Sequence, residues 1–142
     1  MLFNRVEPGL ALRMRSEARR ISEQHRRLAE LKDEVSAALS NESMGSARVR
    51  FQRFAEALGA HFDVEEQVFF PAIHGIDPEL GRTVDELVTA HERLRGELAV
   101  LLAHLGSGEP SACVLLLDDL VKQLQMHERV EEWAMERAAR SA

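Results

Sequence analysis

Apolar residues recur along this chain at the three- and four-residue steps of a helix, in four long segments separated by three short breaks. The breaks are SNESMGS at 40–46, HGIDPELG at 74–81 and GSGEP at 106–110. Each gathers the Gly, Pro, Ser, Asn or Asp residues that end helices, and Pro78 and Pro110 stand where new helices can start. The segments between them, about 12–40, 46–73, 78–105 and 110–139, are rich in Leu, Ala, Glu, Arg and Gln. They contain no alternating β-branched runs. Short connections make consecutive helices antiparallel neighbours. The pattern therefore predicts an all-α fold, an up-down-up-down antiparallel four-helix bundle over residues 12–142. Residues 1–11, with Pro8 and Gly9, are expected to form an N-terminal arm.

The inward stripe of each helix follows from the same periodicity. On the first helix it is Met14, Ala18, Ile21, His25, Leu28, Val35 and Leu39, interrupted by Lys32. On the second it is Phe51, Phe54, Leu58, His61, Glu65, Val68 and Ala72. On the third it is Val84, Leu87, His91, Leu94, Leu98, Leu101 and Leu105, and on the fourth Cys113, Leu117, Leu120, Leu124, His127, Glu131 and Ala134. One histidine per helix thus falls on a face that should be buried, and two helices add a carboxylate four residues further on.

Turn symmetry tests this placement without using hydrophobicity. Two residues of an antiparallel hairpin are level when they are equidistant from its turn. The midpoint of His25 and His61 is Ser43, that of His61 and His91 is Ile76, and that of His91 and His127 is Glu109. All three lie in predicted turns, so the four histidines should share one layer. Burying them with Glu65 and Glu131, each unpaired, would cost several kcal/mol per group or force their ionisation to change. A metal centre removes that cost by making the imidazoles and carboxylates ligands. Six ligands exceed the four of a structural zinc, and calcium and magnesium prefer oxygen. The set suits a dinuclear centre of iron, manganese or zinc, with the carboxylates able to bridge.

One His on helix 1, HFDVEEQVFFPAI on helix 2, TAHERLRGEL on helix 3 and MHERVEE on helix 4 together resemble the hemerythrin-like (HHE cation-binding) domain, over about residues 18–136. The resemblance implies the hemerythrin four-helix bundle and two non-haem iron ions with an oxo or hydroxo bridge. It implies that His25, His61, Glu65, His91, His127 and Glu131 are the metal ligands. Ferritin-like di-iron bundles differ, since they use Glu-x-x-His and additional lone Glu residues. Oxygen-carrying hemerythrins have a fifth histidine one turn from the helix 3 ligand. Here the positions one turn either side of His91 are Leu87 and Arg95, and the chain has no Tyr. That departure favours reaction with O2, H2O2 or NO, as oxidant scavenging or weak catalase-like or oxidase-like turnover, over reversible carriage. Arg95 or Glu92 is expected to admit water and protons. The alternative is an O2- or iron-sensing, binding or storage module without catalysis.

The remaining features narrow the setting. The net charge of −6, with both signs interspersed, gives no reason to expect a nucleic acid or an anionic membrane as partner. No stretch approaches a membrane span, there is no signal-peptide pattern, and a cytoplasmic location is expected. Cys113 is alone in an apolar setting and reads as core. Glu128 sits about 100° out of phase with the ligand face. Glu66 and Glu132 read as surface carboxylates, His74 and His104 as structural or exposed, and Trp133 and the phenylalanines as mainly core. Leu2, Phe3, Val6 and Leu10 make an apolar stripe on the arm, which is expected to fold back on the bundle, with pairing in a weak homodimer as the alternative.

Overall fold

A computed structural model of the chain describes residues 9–107 and 109–141. The expectations for arm residues 1–8 and for the side chain of Met14 lie outside what is described. Four helical rods pack as predicted: α1 (Leu10–Ser40), a second rod from Met44 to His74, α4 (Pro78–Ser107) and α5 (Pro110–Ser141). The second rod comprises α2 (Met44–Val64), a π-helical turn (Glu65–Phe69) and α3 (Phe70–His74). The first helix opens at Leu10, inside the stretch read as an arm.

The turns are tighter than the sequence suggests. The first occupies only 41–43, and Gly45 lies within α2. Glu42 takes the left-handed conformation, with φ at 55°. Its N–H donates to the Leu39 carbonyl and that of Ser43 to the Ala38 carbonyl, each at 3.0 Å, closing α1 as a Schellman motif. At the second turn Asp77 caps α4, accepting from the Leu80 N–H at 2.8 Å, and Pro78 takes the first helical position.

The inward stripes of α4 and α5 are buried at every predicted position. The second rod departs from its stripe after Glu65. Val68, expected inside, is 53% exposed, while Phe69, Phe70 and Ile73 are buried. The cause is the π turn, in which the Phe70 N–H bonds the Glu65 carbonyl five residues back. One extra residue in a turn rotates everything beyond it. Pro71 has no N–H for the Gln67 carbonyl, and its ring would clash with that carbonyl in a regular helix. A π turn just before Pro71 relieves both problems.

Two apolar clusters result. The larger holds Leu28, Phe51, Phe54, Leu58, Leu94, Leu101, Leu120 and their neighbours, towards the 41–43 turn. The smaller holds Ile21, Phe69, Phe70, Ile73, Leu80, Leu87 and Met135, towards the 75–77 turn. Trp133 belongs to neither: it is 36% exposed and lies under the Arg137 guanidinium. Among the described residues no helix is long and apolar enough to cross a membrane.

Candidate metal centre

Between the two clusters the structure brings together all six residues singled out from the sequence. Glu65 and Glu131 are fully buried, His91 likewise, His61 and His127 nearly so, and His25 is partly covered. Two overlapping sets of donor atoms each lie within 4.8 Å of one another: Glu65, His91, His127 and Glu131, and His25, His61 and Glu131.

The two carboxylates span the two pairs of imidazoles. Glu131 Oε2 lies 3.5 Å from His25 Nε2 and 3.9 Å from His61 Nε2. Its other oxygen, Oε1, lies 2.5 Å from His127 Nε2 and 3.9 Å from His91 Nε2. Glu65 Oε1 is 3.3 Å from the Nε2 atoms of both His61 and His91. Close as these approaches are, both oxygens of Glu65, both of Glu131, and Nε2 of His91 and of His127 have no hydrogen-bond partner of acceptable geometry. Buried polar atoms are ordinarily paired. Six such orphans converging from three of the four rods fit a cation, towards which lone pairs point together instead of at one another. The donor set therefore suits the group that the fold implies.

The outer ring nitrogens are held separately. His91 Nδ1 lies 2.9 Å from Glu66 Oε2, and His61 Nδ1 lies 2.5 Å from Gln24 Oε1. Both partners accept through oxygen, so Nδ1 carries the proton in each ring and Nε2 keeps its lone pair for the centre. Glu128 Oε2 is 3.5 Å from His25 Nδ1, the outer side of that ring, and does not join the converging donors. Glu66 is not the free surface carboxylate expected of it. Arg95 Nη1 donates to it at 3.0 Å, and Arg95 Nη2 donates to Asp63 at 2.8 Å. Through these two bonds Arg95 is tied to the second rod. The π-faces of Phe62 and Phe70 enclose His91, with ring centroids 3.9 and 5.5 Å away.

Charge is finely divided in this layer. Burial first, and then the neighbouring Glu131 carboxylate, push Glu65 up to about 12, so Glu65 holds a proton. Burial acts upward on Glu131 as well, but the pull of Glu65, His127, His25 and His61 around it outweighs burial and holds it well below the ordinary range. Burial lowers His61, and it opposes protonation of His25, which the carboxylates of Glu131, Glu128 and Glu132 nevertheless raise. His25 Nε2–H can then donate to His61 Nε2 at 3.2 Å. A cation entering the layer would displace these protons.

His74 is exposed and pairs with Asp85 at 3.1 Å, and His104 is exposed, as expected for residues outside the centre. A groove of about 420 Å³ between α4 and α5, lined by Leu87, Ala90, Met126, Val130 and His127 among others, reaches the edge of the layer. A smaller one of about 120 Å³ reaches His25 past Lys32, Gln125 and Glu128.

Sequence reasoning missed Gln24 and Glu66, which touch only the outer side of the ligands. A signal existed for both, since each directly neighbours a ligand in sequence. The profile of the hemerythrin HHE cation binding domain matches residues 1–73. That stretch includes His25, His61 and Glu65, whereas His91, His127 and Glu131 lie beyond it and stand on the geometry above. No curated protein and no solved structure matches the chain.

Proposed function

The chain belongs to the hemerythrin HHE cation-binding family, and on that premise we propose that it is a non-haem di-iron protein reacting with O2, peroxide or NO, as an oxidant scavenger with catalase-like turnover. The observation that carries this reading is the set of six orphaned donor atoms on Glu65, Glu131, His91 and His127, sealed inside the bundle. In this reading His91 and His127 would hold one ion and His25 and His61 the other, with Glu131 and Glu65 as carboxylate ligands placed to serve both. Bound iron would supply Lewis-acid positions and one-electron redox chemistry to a small molecule.

The protein's own part is positioning and access. Gln24 and Glu66 fix the imidazole tautomers. Phe62 and Phe70 keep water from the His91 side. Leu87 and Arg95 occupy the places one turn either side of His91, so no fifth imidazole closes the centre. With only these six side chains as ligands the ions would offer Lewis-acid positions to a substrate, which supports turnover over reversible carriage. The groove beside His127 is wide enough for a diatomic molecule or peroxide to approach.

Metal content, optical absorption and peroxide consumption test this together. Purified protein should hold about two irons per chain, with near-ultraviolet charge-transfer absorption, and its oxidised form should break down peroxide. A protein that takes up zinc in preference to iron, or an iron form that binds O2 reversibly and leaves peroxide intact, would overturn the proposal.

A further inference from the structure

The outer nitrogens of His61 and His91 are hydrogen-bonded to acceptors of different charge, while Glu128 Oε2 stands off His25 Nδ1 at 3.5 Å. His61 Nδ1–H faces the neutral amide oxygen of Gln24. His91 Nδ1–H faces a carboxylate, Glu66, braced by the Arg95 guanidinium. Arg95 is itself anchored by Asp63 and lies over the Phe62 ring, 5.4 Å from its centroid. That ring stacks on His91. Thus His91 is gripped at its outer nitrogen and on one face by groups that meet in a single arginine.

We infer that Glu66, braced by Arg95, is a positioning residue that makes His91 the strongest imidazole donor of the centre and its ion the more tightly retained of the two. The inference rests on the proposed function and adds an inequality between the metal positions. A carboxylate accepting from the far N–H of a ligating imidazole fixes its tautomer and orientation and raises its basicity, which an amide acceptor does less strongly. His91 is also the most enclosed of these imidazoles, at 0% exposed against 4% for His61 and 6% for His127.

The test uses the full chain and its Glu66→Gln variant, loaded with cobalt(II) and challenged with excess chelator. Wild-type release should be biphasic. Glu66→Gln should speed the slow phase by about 10- to 100-fold and leave the fast phase alone. It should also move the cobalt d–d absorption, and the unfolding midpoint of the chelator-treated protein should not change. A release profile and spectrum identical to wild type would overturn the inference while leaving the di-metal reading intact. So would both phases quickening equally alongside a lower unfolding midpoint, which would mark Glu66 as merely structural. A wild-type chain that takes up no cobalt(II) would remove the proposed function and this inference together.

Discussion

Two adjacent layers of this bundle are equally buried and chemically opposite. Around Leu58, Leu94, Leu101 and Leu120 the buried side chains are apolar. The next layer, built from the same four rods, contains His61, Glu65, His91, His127 and Glu131 at the same depth, with six donor atoms unpaired. The first layer stabilises the fold in any solution. The second stabilises it only when a cation completes it, because ligand binding to the folded state alone adds about 4 kcal/mol at a thousand times the dissociation constant. The difference separates what burial does for stability from what it does for function.

The largest effect should come from removing a carboxylate that spans both imidazole pairs. Glu131→Ala is expected to abolish uptake of both ions, whereas His25→Ala should weaken mainly one. Metal analysis after reconstitution checks this, and a Glu131→Ala protein retaining two irons with unchanged absorption would remove the bridging assignment.

Next in size is a truncation in the apolar layer. Leu94 is completely buried, and Leu94→Ala should cost about 2–5 kcal/mol in both the metal-loaded and the chelator-treated protein. Denaturant unfolding of the two forms measures it. A cost that appeared only in the loaded form would mean that the layers are not independent.

The converse substitution should separate stability from function. Both oxygens of Glu65 are buried without a hydrogen-bond partner, and replacing such a group by an apolar one of similar volume removes a desolvation penalty of about 1–3 kcal/mol. Glu65→Met is therefore expected to make the chelator-treated protein more resistant to denaturant while it takes up less metal. If the variant were less stable than wild type under chelation, the donor layer would be self-supporting.

Most of this arrangement is legible in the sequence because two periodicities agree. The helical repeat puts His61, His91 and His127 on buried faces, and the turn midpoints at Ser43, Ile76 and Glu109 put them level with His25. What escaped does not repeat. Extrapolating the α2 stripe placed Val68 inside, since a π turn adds a residue that no fixed period contains, although Pro71 marked the place where the helix could not continue regularly. Trp133 was assigned to the core by its size, yet it stands one residue short of the buried Ala134, under Arg137. Glu66 reads as a surface carboxylate and Gln24 carries no signal of its own because both lie beside the stripe. From there a long side chain still reaches round to the outer nitrogen of a ligand on a neighbouring rod.

The smallest predicted effect lies outside both layers. Glu42 closes α1 at φ 55°, a left-handed conformation that costs a residue bearing a Cβ roughly 1–2 kcal/mol. Glycine takes it without that cost but gives up about 0.4–1 kcal/mol to the freedom of the unfolded chain. The net gain for Glu42→Gly should be at most about 1.6 kcal/mol, a rise of no more than about 6 °C in the unfolding midpoint of a chain this size. Glu42 follows His25 by seventeen residues, roughly 25 Å along α1, so the turn and the donor layer share no side-chain contact. The rise should therefore be the same with and without bound metal, and metal content should not change. Calorimetry on both forms decides it: a gain confined to the loaded protein would mean that the 41–43 turn and the donor layer are coupled through α1, and that the separation of layers drawn above stops short of the turns.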